Sequence, residues 1–156
     1  MTTAELAAAL HQVQAKQAGA HLVAEFAHGL DNRDLDRALA TWHPRGVLTF
    51  APDTVLTGLS AIRAHLEKIL AAHPEMYHQY TNLSITVTGD ASMHIECRIA
   101  ALSLTRSGTT LREVGTGVLE CAKEADDWLI SSEVVTVQHR EPASTDGWRP
   151  DPPRSR

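Results

Sequence analysis

Residues 77–104 read YHQYTNLSITVTGDASMHIECRIAALSL, and their hydrophobic pattern is the strongest indication of the fold class. Apolar and polar residues alternate through most of it, which is typical of β-strands that bury only one face. The alternation breaks at TGD, which predicts a turn between two antiparallel strands. Two more alternating segments follow, TLREVGTGVLECAKE and DWLISSEVVTVQ. The second half of the chain is therefore predicted to form four long strands.

The first half of the chain has helical periodicity instead. Residues 3–30 are rich in alanine and predict a long helix. LDRALATW predicts a short helix that is capped by Asn32 or Asp34 and stops before Pro44. GVLTF and VLTG predict short strands, and SAIRAHLEKILAAH predicts a third helix with Ser60 as its cap. Helices followed by strands indicate an α+β fold, with the helices on one face of a curved antiparallel sheet.

Length and composition restrict the class of protein. The 156 residues predict a single domain over 1–140, and the polar, proline-rich residues 141–156 predict a disordered tail that contains Trp148. The net charge is −5 and Lys and Arg are not clustered, which argues against binding of nucleic acid. No apolar run approaches the roughly 20 residues of a membrane span. The N-terminus does not resemble a signal peptide, so a cytoplasmic protein is predicted.

The chain has two cysteines, Cys97 and Cys121, which is too few for a disulfide-rich scaffold. A hairpin centred on RSGT would place Cys97 opposite Val118, three residues short of Cys121. Two free and mostly buried thiols are therefore predicted.

Four stretches in this order and spacing resemble the nuclear transport factor 2-like superfamily, and within it the SnoaL-like group. They are FAHGLDNRDLDRALATWHPRGVLTF, LTGLSAIRAHLEKIL, YHQYTNLSITVTGDAS and DDWLISSEVV. The resemblance implies a cone-shaped, barrel-like fold in which three N-terminal helices and a strongly curved antiparallel sheet enclose an apolar pocket. Members of this superfamily include isomerases, dehydratases and cyclases that mostly use no metal or cofactor. Others only bind ligands or mediate dimers, so the fold does not determine the function.

The resemblance also implies a catalytic pair. Dehydratases of this group place an aspartate after the first helix and a histidine at the start of the first long strand, and the matching positions are Asp31 and His78. His78 would act as the general base and acid, and Asp31 would fix its tautomer. The residues predicted to form the wall for the substrate are Tyr77, Tyr80, Asn82, Phe26, Trp42 and Phe50.

The chain departs from those dehydratases at some positions. Phe26 stands where a bile-acid dehydratase of this group has a tyrosine, and Ala101 or Ser103 stands where a second acidic or imidazole group is expected. The resemblance therefore implies an acid/base pair with fewer helping groups.

Simple alternation conflicts with a catalytic His78. It places His78 on the same face as Asn82 and opposite Ile85, which would turn the ring away from the pocket. A bulge between Tyr80 and Asn82 would restore the catalytic orientation. A structural or interface role for His78, and a simple turn or cap role for Asp31, are the alternatives.

Other polar residues are interpreted as structural. His94, Glu96 and Arg98 share the outer face of the sheet, where a homodimer contact is predicted and no third metal ligand is apparent. His65 and His73 are predicted to be solvated, and Asp53 to serve a turn.

The sequence predicts a small cofactor-independent enzyme that acts by acid/base catalysis on a hydrophobic, oxygenated small molecule. Dehydration, isomerisation and cyclisation all remain open. The alternative is a non-catalytic ligand-binding or dimeric accessory protein with the same pocket.

Overall fold

The structure of the chain, a computed structural model, describes residues 1–143. Three helices and two shorter strands precede four long strands, which confirms the predicted α+β architecture. The helices are α1 (Thr3–Asp31), α2 (Leu35–Ala40) and α3 (Leu59–Ala72), and the strands are β1 (Trp42–Phe50), β2 (Thr54–Thr57), β3 (Glu75–Gly89), β4 (Ser92–Leu104), β5 (Thr110–Glu124) and β6 (Asp127–Pro142). Within the described residues, no helix is long and apolar enough to cross a membrane.

The six strands form one curved sheet in the order β2-β1-β6-β5-β4-β3. Neighbouring strands are antiparallel except for β1 and β6, which run parallel, so the sheet is mixed at this one pairing. The sheet does not close into a barrel, because β2 and β3 form its two edges. The helices cover its inner face, and α1 packs mainly against the edge strand β3.

Local sequence signals set the start of the two later helices. The Asp34 carboxylate caps α2 by accepting the Arg37 N–H at 3.0 Å, which selects it from the two predicted caps. α3 follows directly after Gly58, whose φ of 81° is a conformation that favours glycine. Ser60 lies inside α3, so its prediction as the cap is wrong.

β1 begins earlier than the sequence predicted. The short helix was expected to continue through Trp42, whereas α2 ends at Ala40 and Trp42 pairs with Ile130 of β6. Pro44 lies in the irregular part of that pairing, where its missing N–H removes no hydrogen bond from the ladder.

The turn after α1 is held by two contacts. A Cβ atom on Gly29 would lie 2.5 Å from the backbone nitrogen of Ala38, so only glycine allows α1 and α2 to approach this closely. Beyond it, the Arg33 guanidinium donates hydrogen bonds of 2.8, 3.0 and 3.1 Å to the main-chain oxygens of Leu70, His73 and Pro74. These carbonyls lie at and just beyond the end of α3, where a helix leaves its oxygens without internal partners. Arg33 therefore ties the end of α1 to the end of α3.

Buried and outward residues alternate along β4, as predicted. The buried set is Met93, Ile95, Cys97 and Ile99, and the outer set is His94, Glu96 and Arg98. On the outer face His94 Nδ1 lies 2.6 Å from Glu120 Oε1, and this hydrogen bond raises the pKa of His94.

β6 extends to Pro142, two residues into the segment that was predicted as a tail. Residues 144–156, including Trp148, lie outside the described residues, so the disordered tail stays a prediction.

Both cysteines are free and buried. Cys97 lies opposite Gly117, so the predicted pairing with Val118 is wrong by one residue, because the loop at 105–109 contains five residues. Cys121 pairs elsewhere on β4, so the two thiols are not cross-strand partners. Burial raises the pKa of Cys97 to about 11 and that of Cys121 to about 12.

We expect the native protein to react only slowly with the disulfide reagent DTNB, because the thiolate is the reactive form and burial suppresses it at both cysteines. In guanidinium chloride the denatured chain should react at once at both thiols and release thionitrobenzoate from the reagent for each of them. Absorbance after mixing measures both rates. Rapid reaction of one thiol in the native protein would show that this cysteine is exposed or activated.

Candidate active site

Asp31 and His78 meet where the end of α1 lies beside β3. The Asp31 carboxylate binds His78 twice: Oδ1 lies 2.6 Å from the ring nitrogen Nδ1, and Oδ2 accepts the backbone N–H at 3.0 Å. Because β3 is an edge strand, that N–H has no strand beside it to bond. One carboxylate therefore satisfies the strand edge and holds the imidazole ring.

A bulge in β3 turns His78 toward the helices. The pairing of β3 with β4 shifts between Thr81 and Ser84, and Asn82 has a φ of 52°. Asparagine tolerates this left-handed conformation better than most residues. His78 and Ile85 consequently share the inner face despite their opposite parity, and the bulge that a catalytic orientation requires is present.

His78 borders a cavity of about 680 Å³ between the helices and the sheet. This volume falls within the range of small-molecule sites. Apolar side chains from both layers form most of its wall, and they include Phe26, Leu30, Leu48, Phe50, Leu66, Ile69, Ile99 and Val135. An apolar compound of modest size fits such a wall.

Three of the six predicted wall residues border this cavity, namely Phe26, Phe50 and Tyr80. Trp42 is buried behind the wall and packs edge-on against Phe26, with ring centroids 5.6 Å apart. Tyr77 is 55% exposed, because alternation along β3 points it away from its neighbour His78. Asn82 is exposed in the bulge, where its backbone conformation matters and its side chain does not reach the cavity.

His65 and His73, which were predicted to be solvated, border the cavity, so that prediction is wrong. Asp53 also borders the cavity and lies in the turn between β1 and β2, as predicted. The His65 ring packs against Phe50 with centroids 5.2 Å apart, and His73 is half-buried at the end of α3.

Glu133 is the most deeply buried polar residue of this cavity, and the sequence interpretation missed it. It lies in β6 with 0% of its surface exposed, and Tyr80 Oη donates a hydrogen bond of 3.3 Å to its Oε1 atom. Burial raises the pKa of Glu133 to about 7, and the hydrogen bond from Tyr80 lowers it only in part. Burial, followed by the nearby Glu133, raises the pKa of Tyr80 well above its usual value.

A signal for Glu133 was present in the sequence. In SSEVVTV the glutamate has the same parity as Val135 and Val137, which places a carboxyl group on the apolar face of the last strand. Its hydrogen-bond partner Tyr80 lies on β3, more than 50 residues away in the chain, and a local sequence pattern does not reveal such a distant contact.

A sequence profile of the SnoaL-like domain matches residues 11–133. The chain belongs to the SnoaL-like family. The matched region of this SnoaL-like domain contains Asp31, His78 and Glu133. No curated protein matches the chain.

Solved structures show the same fold as this SnoaL-like domain. A proposed scytalone dehydratase from Novosphingobium aromaticivorans DSM 12444 has a TM-score of 0.79 and 14% identity, over 85% of this chain and 89% of that one. Hexachlorocyclohexane dehydrochlorinase LinA-type3 from Novosphingobium barchaimii LL02 has a TM-score of 0.81 and 15% identity, over 92% and 99%. An NTF2-like protein with a cystatin-like fold from Novosphingobium aromaticivorans has a TM-score of 0.76 and 18% identity, over 88% and 90%. At these identities the likeness establishes the NTF2-like cone fold alone.

The part of the chain that the structure describes contains no cluster of side chains suited to hold a metal ion. No group of three or more His, Cys, Asp and Glu side chains lies close enough together there to hold an ion.

Between pH 5 and pH 8 we expect the wild-type protein to lose about 2–3 kcal/mol more unfolding free energy than Glu133→Gln does. Folding raises the pKa of Glu133 from 4.5 to about 7. Between these two pKa values the folded state therefore binds a proton that the unfolded state does not. The stabilisation is complete below the unfolded pKa and declines as the pH rises through the folded one. Urea denaturation of both proteins at both pH values measures it. Equal pH dependence in the two proteins would show that Glu133 is ionised in the fold.

Proposed function

We propose that this SnoaL-like chain is a small lyase or isomerase that moves a proton on an apolar, oxygen-containing small molecule. The observation that carries the proposal is the 2.6 Å contact between Asp31 and His78 at the wall of an apolar cavity. In this role His78 is the general base and acid, and Asp31 orients it. The cytoplasmic location inferred from the sequence stays a prediction.

The two bonds from Asp31 define the chemistry available to His78. With Nδ1–H donated to the carboxylate, Nε2 carries the lone pair that accepts a proton. The carboxylate also stabilises the imidazolium that forms. Most of the cavity wall is aliphatic or aromatic, so an apolar carbon acid next to a carbonyl is a suitable substrate. Dehydration, isomerisation and cyclisation all begin with this step.

A binding protein that does not turn over its ligand is the second candidate. It is favoured by Phe26, which borders the cavity where the resemblance implies a tyrosine, and by Ala101 or Ser103, one of which stands where it implies an acidic or imidazole group. In such a protein the Asp31–His78 contact would only join α1 to the sheet. The two candidates differ in whether removal of the imidazole abolishes proton transfer or only destabilises the fold.

We expect wild-type protein in D₂O to exchange the α-protons of 4-phenylbutan-2-one, an apolar ketone without a leaving group. His78→Ala should slow this exchange roughly 10²–10⁴-fold, the usual contribution of a positioned acid/base group. Asp31→Asn should slow it nearly as much, because the ring then loses its fixed tautomer. Proton NMR measures the rates.

His94→Ala is the matched control, because this histidine also bonds a carboxylate, but on the outer face. It should leave the exchange unchanged. Exchange by His78→Ala at the wild-type rate, in a protein with an unchanged circular dichroism spectrum, would favour the binding candidate.

We also propose that the outer sheet face forms a homodimer contact. Leu102 and Val134 are 40% and 38% exposed on this face, which also carries Glu96 and Arg98. The helices cover only the inner face of the sheet, so the outer face of its long strands is open to a second copy of the chain. Light scattering at micromolar concentration should therefore give the mass of a dimer, and Val134→Arg should give that of a monomer. A monomeric wild-type protein would disprove this contact.

A further inference from the structure

Glu133 has no role in the proton abstraction by His78, yet it is the most deeply buried polar group of the cavity wall. Its side chain is 0% exposed, and its Oε2 atom has no hydrogen-bond partner within residues 1–143. Its other oxygen accepts a hydrogen bond from the Tyr80 hydroxyl. An unpartnered buried carboxylate is unfavourable, so a carboxyl group in this position favours its neutral, protonated form.

The groups that surround Glu133 do not oppose this protonation. Tyr80 from β3, Cys97 from β4 and Cys121 from β5 are the titratable groups whose charges interact with it, and all are neutral near pH 7. No basic side chain is among the groups that shift the pKa of Glu133. The cavity therefore contains a neutral acid on β6 in addition to the base on β3.

Tyr80 connects this acid to the space where a substrate would lie. It shares the inner face of β3 with His78, two residues away, and both side chains border the cavity. Its hydroxyl reaches across the inner face of β4 and β5 to Glu133. In the structure the Tyr80 hydroxyl donates to Glu133 Oε1. When the protonated carboxyl group instead donates to the Tyr80 oxygen, the phenolic hydrogen is free to face the cavity, and a proton passes from Glu133 to Tyr80 while the phenolic proton passes to a substrate oxygen.

We infer that Tyr80, supplied by Glu133, protonates a departing oxygen, and that the substrate is an apolar β-hydroxy carbonyl compound which loses water. The inference rests on the proposed function of His78. His78 Nε2 takes the α-proton, the C–H electrons form the C=C bond, and the C–O electrons leave with the oxygen. That oxygen takes the Tyr80 proton and departs as water, and Glu133 restores the phenol. Return of the proton from His78 to Glu133 through solvent completes the cycle.

The buried acid distinguishes between leaving groups. Chloride departs as a stable anion without a proton, whereas hydroxide is a poor leaving group and needs one. A site for dehydrochlorination gains nothing from a neutral carboxyl group that is costly to bury. Tyr80 is the catalytic residue here because it touches the departing oxygen, and Glu133 acts through it.

The first test needs no substrate. Infrared difference spectra between pH 5 and pH 9 should contain the C=O band of a protonated carboxyl group that titrates near neutral pH. The band should be absent in Glu133→Gln and shifted in Tyr80→Phe, because Tyr80 bonds that group. A Glu133 that is already ionised at pH 6 would overturn the inference.

The second test separates the two proton transfers on matched ketones. Wild-type protein should dehydrate 4-hydroxy-4-phenylbutan-2-one and exchange the α-protons of 4-phenylbutan-2-one. Glu133→Gln and Tyr80→Phe should slow dehydration roughly 10²–10⁴-fold and slow exchange far less, so the ratio of the dehydration rate to the exchange rate should fall. Wild-type dehydration should also decline as the pH rises through neutrality, and Glu133→Gln should lose this decline. Glu96→Gln, the same substitution on the outer face, is the control and should alter neither rate.

Each other outcome has a defined meaning. If Glu133→Gln dehydrates the hydroxy ketone at the wild-type rate, the inference is wrong and the proposed function stands. If wild-type protein exchanges α-protons but does not dehydrate, the role of the acid is wrong and His78 remains the base. If neither ketone reacts, the proton abstraction and the inference built on it both fail for this class of substrate.

Discussion

The Asp31 carboxylate and its two bonds to His78 are the constraint on which the site depends. One oxygen binds the imidazole and the other binds the backbone N–H of an edge strand, so the ring and the strand are positioned by the same group. Asp31 is itself placed by the close approach at Gly29 and by the hydrogen bonds of Arg33 to the end of α3. A change in any of these contacts moves the base relative to the cavity.

The bulge at Asn82 is the second requirement, and it shows what the sequence can and cannot predict. The sequence shows that simple alternation places His78 and Ile85 on opposite faces of β3. Both can face the cavity only if β3 contains one extra residue. The family resemblance supplied the pairing of Asp31 with His78, which periodicity alone would not. The order of helices and strands followed from periodicity, since long alternating segments are the strongest local signal.

The errors have a common physical origin in contacts between distant residues. The hairpin register was wrong at Cys97 because the length of a loop shifts the whole ladder by one residue. Glu133 was overlooked although its parity places it on the apolar face, because its hydrogen-bond partner Tyr80 lies on a strand that is distant in the chain. His65 was interpreted as solvated because an amphipathic pattern shows which side of a helix is apolar, and not whether its margin borders a cavity.

The division of the cavity between its two layers has a consequence for how such proteins diversify. The groups assigned to proton transfer lie on β3 and β6 or at the end of α1, in elements fixed by ladder bonds and by Arg33. Much of the remaining wall comes from α3 and from the turn between β1 and β2, which include Ile69 and Asp53. Natural selection can therefore vary the shape of accepted molecules through α3 and that turn while the reacting groups stay in register. A few substitutions in these elements can then adapt the same scaffold to a different metabolite.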